Sequence, residues 1–149
     1  MNWKAIIIGG LAYYIVTFAI GMLTGMYIHE GVLDEAYTAT QSFWRPELNQ
    51  DPPDMAALMP LWITTGLIIA FVYAGIYDTF RSALAGSAVV KGIKFGVVLF
   101  LFMASWSLAM SGVFNLPQII WTWWIIESLI YALVGGAALG WAVGKFASD

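Results

Sequence analysis

The sequence contains no cysteine and few charged residues. Of its 149 residues, 10% are charged and 61% are hydrophobic, whereas a soluble domain carries about a quarter charged residues. So few charges cannot cover a surface that faces water, and the composition therefore indicates a membrane protein. The absence of cysteine excludes disulfides, thiolate zinc sites, iron–sulfur ligation and a cysteine nucleophile within this chain.

Basic residues are also scarce, with six Lys and Arg against nine Asp and Glu, and they form no cluster. Nucleic acid is therefore not an expected partner. A single histidine cannot supply two axial imidazoles to a haem. Glycine-rich phosphate loops, HExxH and GxSxG are missing from the sequence, so we expect no cofactor and no enzymatic activity.

Long stretches without charge are what the sequence does contain. Crossing about 30 Å of hydrocarbon takes roughly 20 apolar residues, and four such spans are predicted, at residues 5–28, 57–78, 94–114 and 119–144. Pro117 and its neighbours supply the turn between the last two. The first span is longer than the roughly 7–15 apolar residues of a signal peptide. We predict an all-α polytopic membrane protein, a single four-helix bundle with an outer loop at 29–56 and a cytoplasmic loop at 79–93.

Basic residues are distributed unevenly about these four spans. Arg45 falls on one side, and the opposite side carries Lys4, Arg81, Lys91, Lys94 and Lys145. Cytoplasmic loops carry an excess of Lys and Arg. We therefore expect a multi-pass protein of the bacterial inner membrane with both termini in the cytoplasm.

The second and fourth spans share a pattern. Residues 62–72 match residues 124–134 in a Trp-Ile pair, a Leu-Ile pair, an alanine and a valine at a constant offset. This similarity predicts two tandem helical hairpins, the parallel type of internal repeat. Chance similarity between apolar helices is the alternative.

Small residues four positions apart allow helix backbones to approach closely. Such spacing occurs in three places: at Gly21 and Gly25, at Gly66, Ala70 and Ala74, and at Ala132, Gly136, Gly140 and Gly144. Glu127 lies on a face roughly opposite Gly136, at about 100° per residue. The fourth span is therefore expected to contact protein on both sides, either within the bundle or in an oligomer.

Glu127 is the one acidic residue well inside a predicted span. An unpaired carboxylate in the apolar layer is costly, and we expect it to form a polar layer with Thr24, Thr65, Ser107 and Ser111. Such a layer is suited to binding a cation, to carrying a proton or to holding a small polar ligand. The alternative is a protonated or snorkelling glutamate that only ties helices together.

His29 follows Met22 and Met26 on roughly one face of the first span. An imidazole with thioethers suits Cu(I), which makes this a candidate metal site. Packing is the alternative, because methionine commonly fills gaps between apolar side chains.

Three segments together carry a resemblance: Trp44-Arg45-Pro46-Glu47, the stretch 92–96 that opens the third span, and Trp124-xx-Glu127 followed by two glycines. In these the chain resembles small uncharacterised four-helix bacterial membrane proteins. The resemblance implies the same topology and points to Trp44, Arg45 and Glu127 as positions of interest, without implying an activity.

The first functional interpretation is a non-enzymatic accessory or structural subunit of an inner-membrane complex, with the bilayer and other membrane subunits, or further copies of itself, as partners. A small oligomeric transporter or channel that uses the layer around Glu127 is the alternative. A metal- or lipid-binding membrane protein is the second alternative.

Overall fold

A computed structural model describes residues 1–147 as four long helices and one structured loop. Helix α1 (Trp3–Thr24) continues as a π-helix over Gly25–Val32 and is followed by the short α2 (Asp34–Thr38). The other long helices are α3 (Met55–Phe80), α4 (Ala88–Ser111) and α5 (Gln118–Phe146). All four are long and apolar enough to cross a membrane, which confirms the predicted all-α fold with four candidate spans.

Side chains just before three of the long helices cap their first turns. Asn2 accepts a hydrogen bond from the backbone N–H of Ala5 at 3.1 Å, and Asp54 caps α3 in the same way. Ser87 caps α4, so this helix begins before the predicted span start at residue 94. The connection between α3 and α4 is residues 81–87, shorter than the predicted loop at 79–93, and Lys91 lies on the helix rather than in that loop.

The helices alternate in direction, so the bundle has two distinct ends. We call the end with residues 1–3, 81–87 and 147 the terminal end, and the end with residues 33–54 and 112–117 the loop end. Helix α5 packs against α4 on one side and α1 on the other, while α3 packs against α1. Two hairpins, α1 with α3 and α4 with α5, thus lie side by side.

Glycines bring the backbones of α4 and α5 together. A Cβ atom on Gly92 would overlap the carbonyl oxygen of Gly136, and one on Gly140 would overlap that of Ala88. The predicted small-residue face of the fourth span, including Gly144, therefore meets a matching face on α4. Backbone atoms cannot move aside as a side chain can, so these positions leave room for glycine alone.

The opposite face of α5 packs against α1. Gly135 lies beside Tyr13 and Thr17, and Gly21 lies beside the hydroxyl of Tyr131. Gly25, by contrast, faces open space, so the predicted packing role does not extend to it. Both faces of α5 are covered within one chain, and no oligomer is needed to cover them.

Contacts at the terminal end also draw α3 towards α4 and the chain start. The Tyr77 and Phe95 rings lie 5.4 Å apart. Asp78 accepts a hydrogen bond from the backbone N–H of Asn2 at 2.7 Å and pairs with Arg81 at 3.0 Å. The terminal end is therefore closed by packing, whereas α4 and α5 border open grooves towards the loop end.

Candidate functional site

Glu127 is a buried carboxylate held by three side chains. Its Oε1 accepts hydrogen bonds from the hydroxyl of Thr24 at 2.5 Å and from that of Tyr131 at 2.9 Å. His29 Nε2 lies 3.1 Å from Oε2 and 3.2 Å from Oε1. Burying a carboxylate is costly unless its oxygens are hydrogen-bonded or paired, and these contacts meet that need while joining the first span to the last.

His29 reaches Glu127 because α1 changes into a π-helix at Gly25. In an α-helix each residue turns by about 100°, so Thr24 and His29, five positions apart, would point about 140° apart. A π-helix hydrogen-bonds residues five apart, as Leu33 N does to Ile28 O at 2.8 Å, and its wider turn brings residues five apart towards the same face. Both Thr24 and His29 consequently face Glu127.

A hydrogen-bond chain continues from His29 towards the loop. His29 Nδ1 lies 2.7 Å from the Tyr37 hydroxyl, which also accepts a hydrogen bond from Trp124 Nε1 at 2.9 Å. One placement of the protons gives a partner to each of the donors and acceptors in these contacts. In it a neutral imidazole donates from Nε2 to Glu127, Tyr37 donates to Nδ1, and Trp124 donates to Tyr37.

Tyr37 takes part in this chain as a neutral phenol. Burial raises the pKa of the Tyr37 hydroxyl. The hydrogen bond from Trp124 lowers this pKa, and the negative charge of Glu127 raises it further. The phenol therefore keeps its proton throughout the physiological range.

The loop is held against the helices by Trp44. Its indole N–H donates to the Tyr37 carbonyl oxygen at 3.2 Å and to the Thr40 hydroxyl at 3.1 Å, and its ring meets those of Tyr37 and Trp124 edge-on. Arg45 is exposed and pairs with Glu47 at 3.3 Å. Of the two loop residues singled out from the sequence, Trp44 therefore belongs to the surroundings of the site and Arg45 lies outside it.

Within residues 1–147, the side chain that forms an ion pair with Glu127 when protonated is His29. The basic side chains lie elsewhere: Arg45 is in the loop, and Lys4, Arg81, Lys91, Lys94 and Lys145 are at the terminal end. The charge of Glu127 is therefore balanced by a proton, on His29 or on the carboxylate itself, or by a cation from outside the chain.

A groove opens beside Glu127 between the loop-end halves of α4 and α5. This polar groove has a volume of about 250 Å³ and is lined by Met103, Trp106, Ser107, Trp124, Glu127, Ser128 and Tyr131. Two of its polar atoms retain bonding capacity. Glu127 Oε2 has His29 alone as its partner, and the hydroxyl of Ser107 has no hydrogen bond within the described residues, whereas Ser105 donates back to its own helix.

A second groove adjoins the first towards the loop end. This aromatic groove, of about 480 Å³, shares Trp106, Ser107 and Trp124 with the polar groove and is otherwise lined by Phe43, Trp44, Met110, Phe114, Leu116 and Trp121. Trp121 Nε1 is buried and has no hydrogen-bond partner among residues 1–147. The two grooves together form a largely aromatic surface with one carboxylate at its inner end.

The structure brings together part of the predicted polar layer. Thr24 bonds Glu127, and Ser107 lines the same groove. Thr65 is exposed on α3 and donates to the Leu61 carbonyl oxygen, while Ser111 donates to the Leu108 carbonyl oxygen. When residues 62–72 are aligned with 124–134, Thr65 pairs with Glu127, but α3 packs against α1 rather than α5, so Thr65 does not join the layer.

The candidate metal ligands His29, Met22 and Met26 have different surroundings in the structure. Both ring nitrogens of His29 are engaged, with Tyr37 and Glu127, while Met22 and Met26 are 57% and 70% exposed. The expectation of a shared face assumed an α-helical turn through residue 29, which ends at Thr24. In this arrangement His29 offers no free nitrogen to a copper ion.

The sequence did not predict three of the residues at the site, Tyr37, Tyr131 and Trp106. Trp124 entered the sequence analysis only as part of the segment that carries the resemblance. Tyr131 had a usable signal, because it follows Glu127 by four positions and residues at that spacing share a helix face. Tyr37 had none, since its place depends on how an irregular loop folds back.

Comparison of the chain with protein-family models, with curated proteins and with solved structures found no significant match. The geometry of Glu127, His29 and the two grooves is therefore the basis for assigning a function.

Proposed function

We propose that this protein is a non-enzymatic multi-pass membrane protein that binds an amphipathic organic cation in the polar groove, with Glu127 as the anionic contact. The observation that carries the proposal is a buried carboxylate that faces an aromatic groove with one of its oxygens only singly hydrogen-bonded. The proposal corresponds to the site expected of a small transporter that works through Glu127.

A positive charge on the ligand follows from the electrostatics of the groove. Charges attract strongly where water is scarce, and Glu127 has no Lys or Arg beside it among the described residues. Trp106 and Trp124 line the same groove, and indole faces attract cations within about 6 Å of the ring centre. Carboxylate and indole therefore favour a cation over a neutral molecule of the same shape.

An amphipathic ligand follows from the lining of the two grooves. The aromatic groove, at about 480 Å³, falls within the roughly 300–1,000 Å³ of small-molecule sites, and the adjoining polar groove of about 250 Å³ has room for a charged head group. Ser107 supplies a free hydroxyl near Glu127, and the lining towards the loop end is mostly aromatic. A molecule with a charged head at Glu127 and an apolar body along the tryptophans matches this distribution.

The order carboxylate, imidazole, hydroxyl in Glu127, His29 and Tyr37 has the form of a nucleophile activated by a base. Tyr37 lines neither groove, and its hydroxyl is occupied by His29 and Trp124. A substrate in either groove would therefore not meet this hydroxyl, which supports a binding role over catalysis.

Ethidium, a fluorescent aromatic cation with amino groups, tests the proposal. Its affinity is measured at pH 8.5 by fluorescence titration of the protein in lipid nanodiscs. We expect Glu127→Gln to weaken binding at least tenfold and Glu30→Gln, which removes an exposed acid at the same end, to leave it within twofold. Equal affinities in wild type and Glu127→Gln would overturn the proposal.

The neutral dye N-phenyl-1-naphthylamine separates charge recognition from loss of the groove. Glu127→Gln has nearly the same shape as wild type and should bind this dye with unchanged affinity. If Glu127→Gln bound neither dye, the groove would have collapsed in that variant. Ser107→Ala is then the second variant, because it leaves the carboxylate and the helix contacts in place. We expect it to weaken the affinity for ethidium alone, by twofold to fivefold. Unchanged ethidium binding in Ser107→Ala, with the groove collapsed in Glu127→Gln, would also count against the cation site.

A second candidate function, an accessory subunit of a membrane complex, is favoured by the position of α3. In the most hydrophobic 18-residue stretch of α3, 11% of the residues are buried, compared with 44% in that of α5. Helix α3 therefore has a wide face open to a partner helix. Native mass measurement after gentle extraction tests this proposal. A particle with the mass of one chain and its bound lipid would exclude it.

We also propose the bacterial inner membrane as the location, with the terminal end in the cytoplasm, from the excess of basic residues at that end. Because the chain lacks cysteine, single cysteines report sidedness directly. In intact cells a membrane-impermeant maleimide should label Asn49→Cys at the loop end and spare Ala85→Cys at the terminal end. The reverse pattern would invert the orientation.

A further inference from the structure

We propose that His29 is a proton switch for the cation site, so that cation binding at Glu127 and protonation of His29 oppose each other. The inference rests on the proposed function and specifies how that site is regulated. It is carried by the position of His29, whose Nε2 is 3.1 Å from Oε2 of Glu127, an oxygen with no other partner among residues 1–147.

Tyr37 provides for both states of the imidazole. With neutral His29, the Tyr37 hydroxyl donates to Nδ1. With protonated His29, Nδ1–H donates to the Tyr37 oxygen, which lies 2.7 Å away and has a second lone pair for Trp124. Nε2–H donates to Glu127 in both states. The proton that comes and goes is therefore the one on Nδ1, and the heavy atoms need not move.

The groups around His29 leave Glu127 as its dominant electrostatic partner. From α5 it faces Glu127 and, behind it, Tyr131, and from α2 it faces Tyr37, with the exposed acids Asp34 and Glu35 further along the loop. Its own helical segment contributes Glu30, which is exposed. Among the described residues, Glu127 is therefore the buried carboxylate in contact with the imidazole.

The two positive charges compete because they share this carboxylate. An imidazolium beside Oε2 neutralises Glu127, so the groove no longer offers a net negative charge. A cation at Oε2 in turn lies within a few ångströms of His29 and repels a proton there. Coupling between two sites is reciprocal, so cation binding must release a proton to the same extent that acidification releases the cation.

The single histidine of the chain makes the switch directly observable. Protein produced with isotope-labelled histidine and a purification tag free of histidine gives one imidazole signal, whose nitrogen shifts report protonation and tautomer. The titration midpoint is followed in nanodiscs without ligand, with saturating ethidium and with saturating N-phenyl-1-naphthylamine.

We expect ethidium to lower the midpoint by about one pH unit, which corresponds to roughly tenfold coupling, and the neutral dye to leave it within a few tenths. In Glu127→Gln, ethidium should no longer shift the midpoint, and Glu30→Gln should behave as wild type. Ethidium that binds at pH 8.5 without moving the midpoint overturns the switch and leaves the cation site standing. A protein that binds no ethidium at any pH overturns both.

Discussion

The hydroxyl of Thr24 donates to Glu127 at 2.5 Å and links two residues that are 103 positions apart in the sequence. Tyr131 bonds the same oxygen and also lies 3.1 Å from the Thr24 hydroxyl. The first and last spans are thus connected by a polar contact in their loop-end halves, where glycine packing between α4 and α5 gives way to an open groove.

Replacing Thr24 with valine removes this donor and keeps the branched shape of the side chain. We expect Thr24→Val to lower the free energy of unfolding by about 1 kcal/mol, because hydrogen bonds within membrane proteins have modest net strength and this one is made to a carboxylate. Equilibrium unfolding in mixed micelles measures the change. Thr64→Val is the control, since Thr64 is exposed and donates to its own helix at Pro60, and an equal loss in both variants would contradict the prediction.

Glycine at position 96 is required by the backbone of α5. A Cβ atom there would overlap the carbonyl oxygen of Ala132 and crowd the Cα of Leu133. We therefore expect Gly96→Ala to lower the free energy of unfolding by about 2 kcal/mol, as overpacking of a close contact does.

The matched variant is Gly75→Ala on α3, where a Cβ atom meets nothing within 4 Å. Alanine favours helix over glycine by about 1 kcal/mol, so Gly75→Ala should be neutral or stabilising in the same unfolding experiment. If the two variants unfolded alike, close approach of α4 and α5 would not be a source of stability.

Tyr37 makes stability depend on pH in the alkaline range. Its pKa is raised above 10.0 by burial, so above pH 10.0 the unfolded chain loses this proton while the folded chain keeps it. Stability is therefore complete below pH 10.0 and falls as the pH rises from there towards the folded pKa.

Thermal unfolding in detergent from pH 7 to 11.5 tests this effect by difference. Tyr37→Phe lacks the ionisation, although it also loses the hydrogen bonds to His29 and Trp124. The difference in unfolding temperature between wild type and Tyr37→Phe should be constant up to about pH 10. Above that pH it should become smaller, because wild type loses the stability that comes from the raised pKa of Tyr37. A gap that does not change with pH would show that Tyr37 ionises equally in both states.

The fold was predictable from the sequence because its main determinants are local. Charge-free stretches of sufficient length fix the four helices, and the glycines spaced by four fix which face of α5 meets a neighbour. Helix α4 begins before the predicted span start at residue 94, because Lys91 suggested a loop, whereas Ser87 caps a helix that includes it. Long basic side chains can lie on the end of a span and still reach its polar boundary.

The candidate site was only partly predictable. Glu127 stands out in any reading, because a lone carboxylate in an apolar span needs partners, and Thr24 and Ser107 were placed near it by depth. His29 was assigned to a different face, since nothing in the sequence marks the change from α- to π-helix at Gly25. Tyr37 and Trp44 depend on how an irregular loop folds over the helix ends, which periodicity does not determine.

Trp106 offers the most direct test of the aromatic part of the groove. It is 68% exposed and lines both grooves, so it contributes little to the packing of the bundle. We expect Trp106→Ala to weaken ethidium binding at pH 8.5 by about tenfold, the size of a cation–π contact shielded from water, and to leave the unfolding free energy nearly unchanged. Trp141→Ala is the control, because Trp141 is 49% exposed and lies towards the terminal end of α5. If the two variants bound ethidium equally well, the ligand would not lie along the tryptophans, and the cation would have to be held by Glu127 alone.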